Sequence, residues 1–400
     1  MYVCTKKQFW RKTMNNAKKL AKNNGIGTEQ KKKSGENSFM FTKNKILILL
    51  GLAVIVVLCA GVCYMQLRPR AVLKVTGTNA SGGETTNTVY MKEAVYNIFE
   101  TESQYNMYAS FYQQLYGKTY WEMEDVDSAG RNGASAAKKE VMDGLKQQEI
   151  LCMEAEKLGY SLTDEEKKAA GENRKSAMEN MTDGQKKLDG MDEKTLTKVF
   201  EKKALAEKYR QVIISESGID EAALKATVDK EEYHQYTMQY YMVSNKEGTG
   251  DDAKDVSKEQ KQKNYDNMVA LKEKAKTAED FTKLVEENDT TGITTYQLEE
   301  LVKKDMKDSS FLTEKLRKKL VKMKNEEISD VLEGEDGYYL VKMVNNNDTK
   351  AYDEQCKTVV EQEQNKQFNA RYEELKASYV TEVQSYWKGR VKLGSYTTAE

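Results

Sequence analysis

The stretch TMQYYMVSN (residues 237–245) is where the sequence changes from a helical to a β pattern. It is short and rich in Tyr, Met and Val, which is typical of a strand. Before it, apolar residues recur every three or four positions from residue 90 to 233, which predicts helices. After it come helical patterns at 257–287 and 310–323 and the strand-like segments ISDVL (328–332) and YYLVKMV (338–344). We therefore predict an α+β fold with a β-α-α-α-β-β unit inserted between helices.

Domain boundaries follow from these changes of pattern. A mainly helical domain is expected at 89–233, where Thr163 and Glu166 predict a capping box at a helix start. The inserted unit covers 234–346. Residues 347–400 are expected to form a helix that packs back on the helical domain, followed by an extended tail. Residues 68–88 are rich in Gly, Thr and Asn without apolar periodicity, so we interpret them as a short strand or an extended linker.

Residues 46–67, ILILLGLAVIVVLCAGVCYMQL, contain no charged side chain. About 20 apolar residues can span a bilayer as a helix, so this segment predicts a transmembrane helix. The 12 Lys and Arg residues of segment 1–45 are opposed only by Glu29 and Glu36. By the positive-inside rule this basic tail is cytoplasmic. The chain after the span, with a net charge of −11, is then extracytoplasmic.

The length of the tail and of the span favours an uncleaved signal anchor over a cleaved signal peptide, whose apolar core has about 7 to 15 residues. Cys59 and Cys63 lie at the outer end of the span, where a lipoprotein carries its acylated cysteine. Leu58 and Val62 precede them, although a small residue is expected there, so two membrane-buried thiols are the simpler interpretation. Cleavage and acylation both stay open at this point.

The composition excludes several classes of protein. The chain has one His, His234, and five Cys without a CxxC pair, so zinc sites and thioredoxin-like redox motifs are not expected. No GxGxxG or GxxxxGK[ST] motif occurs, and we expect no cofactor and no metal. Basic runs such as 315–324 alternate with Leu, Val and Met, and the extracytoplasmic part is acidic. Both features argue against nucleic-acid binding.

Several segments resemble a known family. AEDFTKLVEEND (278–289), LRKKLVKMKNEEISDVLEGEDGYYLVKMV (316–344) and QYYMV (239–243) resemble the parvulin-type peptidyl-prolyl isomerase domain of the PrsA and SurA foldases. Upstream, KKEVMDGLKQQEILCMEAEKLGYSLTDEE (138–166) resembles the N-terminal chaperone domain of the same foldases. The resemblance covers roughly residues 89–390 and implies a bacterial protein.

The resemblance also implies a candidate pocket. Parvulins carry one His in the first strand and one in the last, and the matching positions here hold Tyr240 and Tyr339. The family's Cys or Asp position falls at Asp289, and an aromatic position falls at Tyr296. An isomerase pocket must favour the twisted X-Pro amide, whose rotation barrier is about 18 to 20 kcal/mol. Two alternatives stay open: these residues form a surrogate polar network, or the two Tyr pack in a sheet core.

Aromatic residues concentrate between positions 105 and 121. Because aromatic rings and Met form adaptable surfaces for varied partners, we consider a set of client-binding residues here. The set is Tyr105, Tyr108, Phe111, Tyr112 and Trp121. The alternative is that these residues fill a helical core. Cys152 and Cys356 could pair outside the cell, but Cys152 has a core position on its helix, which favours a buried thiol.

These observations lead to three hypotheses about function. The first is a single-pass foldase or chaperone in a bacterial cell membrane that assists unfolded, newly secreted polypeptides, with weak or no isomerase activity. The second is an active parvulin-type peptidyl-prolyl isomerase. The third is a non-catalytic envelope scaffold. The sequence leaves homodimer formation open.

Overall fold

The computed structural model describes residues 69–248, 253–278, 280–288, 294–306, 313–334 and 336–397. Within them the chain has an α+β fold, as the sequence predicts. The basic tail and the predicted membrane span, 1–45 and 46–67, lie outside the described residues, as does Asp289. In the described ranges no helix combines the length and the apolar character needed to cross a membrane.

The elements of the first part of the chain are two strands followed by six helices. They are β1 (Ala71–Thr78), β2 (Glu84–Tyr90), α1 (Met91–Met107), α2 (Ala109–Tyr116), α3 (Gly133–Lys157), α4 (Asp164–Glu179), α5 (Glu193–Glu216) and α6 (Glu221–Ala226). The elements of the second part are β3 (Gln235–Ser244), β4 (Lys246–Glu247), β5 (Lys254–Asp255), α7 (Lys258–Ala275), α8 (Phe281–Asn288), β6 (Thr294–Val302), α9 (Glu314–Leu320), β7 (Leu332–Glu333), β8 (Gly337–Asp348), α10 (Lys350–Lys376), β9 (Val380–Val383) and α11 (Ser385–Arg390).

The helices α1, α3, α4 and α5 pack on one another around a single apolar core. Ile98, Ile150 and Leu196, one from each of three helices, are fully buried in it. The predicted capping box is formed: the Glu166 backbone N–H donates to the Thr163 hydroxyl at 3.2 Å, and the Thr163 N–H donates to the Glu166 carboxylate at 2.7 Å. The cap satisfies N–H groups that have no partner inside the helix, which fixes where α4 begins.

Residues 68–88 do not form an extended linker. β1 and β2 form an antiparallel hairpin, and β9 pairs with the other edge of β1. The turn is closed by the Asn79 side chain, which accepts hydrogen bonds from the backbone N–H of Ser81 and of Gly83 at 3.0 Å each. Val72 and Leu73 are fully buried against the helices. Of the two alternatives left open for this segment, the strand is the one that forms, and the sequence did not indicate a hairpin because the burial of β1 comes from distant helices.

The inserted unit is built on an antiparallel sheet with strand order β6-β3-β8-β7. One face of β3 carries Met238 and Tyr240, which pack with α9. The other face carries Tyr241 and Val243, which pack with α7 and α8. This alternation follows from the two-residue period of a strand and places the two tyrosines of the YY pair on opposite faces.

Three details of this unit differ from the prediction. Residues 294–302, for which no strand is predicted, form β6, which pairs with β3 over its whole length. TTYQLEELV has too many polar residues to signal a strand alone, so the pairing decides it. The helix expected at 257–287 is split into α7 and α8, and the Asp280 carboxylate accepts the Lys283 N–H at 3.1 Å at the new helix start. The helix expected at 310–323 is described only from 314 to 320.

The C-terminal part of the chain packs on the first part. Phe368, Tyr372 and Trp387 belong to the same core as the helices α1, α3 and α5. The Tyr379 hydroxyl donates to the Glu154 carboxylate on α3 at 2.6 Å. Its ring lies so close to Gly77 on β1 that a Cβ there would be 2.3 Å from it, so β1 requires Gly at this position. An extended tail was predicted after α10, but the structure has the strand β9 followed by the helix α11. The strand forms because it pairs with β1.

Candidate functional site

The structure brings together two of the four residues predicted for the isomerase-like pocket. Tyr240 lies on β3 and Tyr339 on β8, and their ring centroids are 5.8 Å apart at an interplanar angle of 57°. They are diagonal neighbours, since Tyr240 is paired with Val341 and Tyr339 with Met242 in the sheet. Their exposed fractions are 7% and 3%, so the pair lies inside the unit.

Of the other two predicted pocket residues, the structure describes only the backbone of Tyr296. Asp289 lies outside the described residues. Tyr296 lies on β6, where its backbone is in register with Tyr241 rather than with Tyr240. His234 serves a different purpose, because its Nε2 is 2.7 Å from the Asn346 carbonyl oxygen at the start of the inserted unit.

The surroundings of the tyrosine pair are apolar and rich in methionine. The buried side chains around it are Met238, Leu301, Met306, Leu316, Leu320, Met323, Leu332, Val341 and Met343. Gly334 lies against the Tyr339 ring, where a Cβ would be 2.4 Å from it. These side chains enclose the two phenol rings in an apolar cluster.

Burial sets the protonation of both phenols. It raises the pKa of Tyr339 to about 12, with smaller contributions from the negative charge of Asp336 and from Tyr240. Burial likewise raises the pKa of Tyr240, helped by the carboxylate of Glu299. Burial also raises the pKa of Glu299 itself. Both phenols are therefore neutral at pH 7, where each can donate or accept a hydrogen bond but cannot act as an acid and base pair like two imidazoles.

A second candidate site is the aromatic region predicted to bind clients. Tyr105 and Tyr120 stack with ring centroids 3.9 Å apart at 7°, and Trp121 packs edge-on against both rings at 5.5 and 5.6 Å. Tyr112 extends the network to Tyr120 at 5.7 Å. Phe111 and Tyr116 contact Tyr112 at 6.0 and 6.2 Å. We call this group, together with Tyr108, the aromatic platform.

The outer part of the aromatic platform is exposed rather than packed in a core. α2 has no buried residue. The exposed fractions are 49% for Tyr108, 57% for Phe111 and 51% for Tyr116. Met107 and Leu115 beside them are exposed by 67% and 58%. Monomeric proteins rarely expose contiguous apolar groups of this kind without a use for them.

Of the predicted client-binding residues, Tyr108 and Phe111 are exposed, whereas Tyr105, Tyr112 and Trp121 are half-buried beneath them. The sequence analysis missed Leu115, Tyr116 and Tyr120. The spacing could have indicated Tyr116 and Leu115, because Tyr108, Tyr112 and Tyr116 recur every four positions and Phe111 and Leu115 are also four positions apart. Residues at this spacing lie on the same side of a helix.

Polar contacts fix the inner rings of the aromatic platform. The Trp121 Nε1–H donates to the Asn106 side chain at 2.7 Å, and the Tyr105 hydroxyl donates to the Glu140 carboxylate at 2.9 Å. Tyr120 and Trp121 lie in a 3₁₀ turn, Tyr120–Glu122, whose capping box joins Thr119 and Glu122. Gly394 of the C-terminal segment lies against the Trp121 ring, where a Cβ would be 3.1 Å away. The inner rings of the platform are therefore fixed in position in the absence of a bound partner.

Among the residues that the structure describes, no group of three or more His, Cys, Asp and Glu side chains could hold a metal ion. Cys152 and Cys356 are buried free thiols. Burial raises the pKa of the Cys152 thiol to about 12, so this thiol is poorly reactive at neutral pH.

No protein-family model matches the sequence. A comparison with curated proteins finds no relative.

The chain is similar to solved structures of foldases and chaperones. One is PrsA from Bacillus subtilis, with 16% identity and a TM-score of 0.23, covering 64% of this chain and 93% of that one. Another is foldase protein PrsA from Streptococcus pneumoniae, with 21% identity and a TM-score of 0.25, covering 61% and 84%. A third comes from work on SurA-like chaperones of Campylobacter jejuni, with 16% identity and a TM-score of 0.27, covering 62% and 89%. Because these TM-scores are below 0.5, the proposals below rest on the residues of this chain.

Proposed function

We propose that this chain is a membrane-anchored, extracytoplasmic chaperone that holds unfolded, newly secreted polypeptides while they fold. The observation that carries the proposal is the aromatic platform, which presents Tyr108, Phe111 and Tyr116 half-exposed on a helix without buried residues. Unfolded chains expose apolar side chains without a fixed sequence. A preformed, rigid aromatic surface can bind such side chains without demanding one partner geometry.

The expected binding is weak and rapidly reversible. Covering a half-exposed ring contributes about 1 to 2 kcal/mol, and the client loses conformational freedom in return. A client segment that covers Tyr108, Phe111 and Leu115 together is then held only briefly. Weak binding suits a chaperone, because a released client can continue to fold.

The anchor and the location are supported by the sequence alone. The 22 uncharged residues 46–67 are long enough to span a bilayer. The basic segment 1–45 places the N-terminus in the cytoplasm by the positive-inside rule. In this proposal the described part of the chain then works on the outer side of a bacterial cell membrane.

We further propose that the inserted unit has weak or no isomerase activity and offers a second site for peptides. The support is that neutral Tyr240 and Tyr339 replace the paired histidines implied by the resemblance to parvulins. Their packing in a methionine-rich cluster surrounds them with apolar side chains in place of the family's acid and base groups.

Aggregation of reduced, unfolded lysozyme tests the chaperone proposal. We expect the full chain in zwitterionic nanodiscs to suppress light scattering, and a variant with Phe111→Ser and Leu115→Ser to lose most of this effect. Both side chains are exposed, so the variant should fold normally. The matched control is Leu158→Ser with Val380→Ser, since these two side chains are 55% and 71% exposed elsewhere on the molecule.

If the Phe111→Ser, Leu115→Ser variant suppresses lysozyme aggregation as well as the control variant does, the aromatic platform is not the client-binding surface. No suppression by the natural chain, together with one stoichiometric partner in cross-linking of the envelope, would favour the scaffold hypothesis instead.

A further inference from the structure

Four carboxylates either contact an inner ring of the aromatic platform or closely follow one in the chain. Glu122 follows Trp121 in the 3₁₀ turn, Glu124 and Asp125 come next in the chain, and Glu140 accepts the Tyr105 hydroxyl. All four carboxylates are exposed, and none forms a salt bridge with a residue that the structure describes. We call these four residues the acidic rim. Lys118 is the one cation of segment 118–125.

Three members of the acidic rim, Glu122, Glu124 and Asp125, lie in the turn and loop before α3, whereas Glu140 lies on α3 itself. The Val126 N–H donates to the Arg131 carbonyl at 2.9 Å, and the Gly133 N–H donates to the Met123 carbonyl at 2.9 Å. Asp127 is occupied inside this loop, since it forms a salt bridge with Arg131 at 2.6 Å. Asp125 adopts a left-handed conformation with φ 53° and stays exposed. The segment therefore uses two carboxylates for its own structure, Asp127 in this salt bridge and Glu122 in the capping box, and leaves Glu124 and Asp125 for a partner.

Among the described residues, no cation lies over a ring of the aromatic platform. Cation–π contacts do form elsewhere among the described residues, for example Lys203 over Tyr96 at 4.8 Å and Arg210 over Phe368 at 5.1 Å. The other contacts of this kind in the described ranges involve Tyr386, Tyr233 and Tyr372. No platform ring takes part in one, so the exposed faces of Tyr108, Phe111 and Tyr116 can receive a cation from outside.

We propose that the aromatic platform and the acidic rim together select extended polypeptide segments in which Arg or Lys alternates with apolar residues. The apolar residues would cover Phe111 and Leu115, while the cations would lie over the exposed rings and next to Glu122, Glu124 and Asp125. This inference rests on the proposed chaperone function and names its class of client. An anionic membrane surface is disfavoured as the partner, because the rim repels it.

The test uses fluorescent peptides and the full chain in zwitterionic nanodiscs. The peptides share the same Phe, Leu and Trp residues and carry Arg, Gln or Glu at the intervening positions. We expect the Arg peptide to bind about tenfold more tightly than the Gln peptide at low salt, because several exposed charge pairs act together. At about 1 M salt, where the Debye length is about 3 Å, this preference should largely disappear.

A variant in which three carboxylates of the acidic rim are neutralised tests whether the rim causes the preference for the Arg peptide. In Glu122→Gln, Glu124→Gln, Asp125→Asn the geometry is kept, since Gln serves in a capping box and Asn tolerates a left-handed conformation. We expect it to bind the Arg peptide as weakly as the Gln peptide. The matched control, Glu172→Gln, Glu179→Gln, Asp183→Asn, removes three exposed carboxylates elsewhere and should keep the preference.

The outcomes separate the two proposals. Equal binding of all three peptides, or a preference that the rim variant keeps, would overturn the charge selection and leave the chaperone function standing. No binding of any peptide, with the platform buried between two copies of the chain in sedimentation and cross-linking, would overturn both. Tighter binding to nanodiscs of anionic lipid than to the Arg peptide would overturn the choice of a polypeptide partner.

Discussion

The carboxylate of Glu102 in α1 forms hydrogen bonds with both the backbone and the side chain of Thr397, which lies 295 positions later in the sequence. The carboxylate accepts the Thr397 N–H at 2.7 Å and the Thr397 hydroxyl at 2.5 Å. The same carboxylate accepts the N–H groups of Gly394 and Tyr396 at 2.7 and 3.0 Å. Glu102 is fully buried, so these four donors replace the water that its charge would otherwise require. The C-terminal segment is thereby fixed next to Trp121 of the aromatic platform.

Replacing Glu102 should destabilise the chain strongly. In Glu102→Gln an amide N–H₂ faces backbone donors, and the charge that strengthens the remaining bonds is lost. We expect a decrease in the free energy of unfolding of about 2 to 4 kcal/mol. Thr397→Val is the matched control, since it removes only the hydroxyl donor and should cost about 1 kcal/mol. Urea unfolding of the full chain measures both, and an equal effect of the two changes would contradict the central role of Glu102.

We expect side chains of the strand β1 to contribute to the free energy of unfolding as core residues do. Leu73→Ala removes a fully buried side chain and leaves a cavity, so we expect a loss of about 2 to 5 kcal/mol. Lys74→Ala changes the exposed neighbour and should alter stability by less than about 0.5 kcal/mol. The same urea unfolding experiment compares them. A small effect of Leu73→Ala would mean that the hairpin is a dispensable extension.

Alkaline pH should weaken the fold, because buried tyrosines keep protons that the unfolded chain loses. Burial raises the pKa of Tyr339 and of Tyr372 from 10.0 to about 12. Between pH 10 and 12 the unfolded chain therefore loses protons that the folded chain keeps, so stability is full below pH 10 and falls as the pH rises through 12. We expect a loss of about 1 to 3 kcal/mol for each of these tyrosines over that range.

Absorbance of the phenolate, recorded together with urea unfolding at increasing pH, measures this effect. Tyr339→Phe should reduce the dependence of stability on pH, because its ring keeps the packing and cannot ionise. A dependence unchanged in this variant would show that Tyr339 is not among the groups responsible.

The inserted unit should not accelerate X-Pro isomerisation measurably. Neutral phenols in a methionine-rich cluster lack the charge and the acid and base groups of the histidine pair they replace. We expect the full chain to leave the cis-trans rate of a Pro-containing peptide at its uncatalysed value. Turnover that falls in both Tyr240→Phe and Tyr339→Phe would instead establish an active isomerase that replaced its histidines.

The sequence predicted the parts of the fold whose signals are local. The alternation in 237–245 and the capping residues Thr163 and Glu166 act within a few positions, so β3 and the start of α4 could be predicted. For residues 68–88 the sequence left a short strand and a linker open, and the hairpin of β1 and β2 was not predicted. The strand β6 was not predicted either, because TTYQLEELV becomes a strand through its pairing with β3. The candidate pocket was predicted by resemblance; the structure brings Tyr240 and Tyr339 together, and Asp289 lies outside the described residues.

The sequence by itself determined the α+β class, the apolar segment 46–67 and the concentration of aromatic residues between 105 and 121, because composition and periodicity are properties of neighbouring residues. Only the tertiary structure decided which of those aromatic rings are exposed, and that Glu102 fixes the C-terminal segment beside them. These outcomes depend on contacts between residues far apart in the chain. Such contacts are set by the packing of whole elements against one another, which no local pattern records.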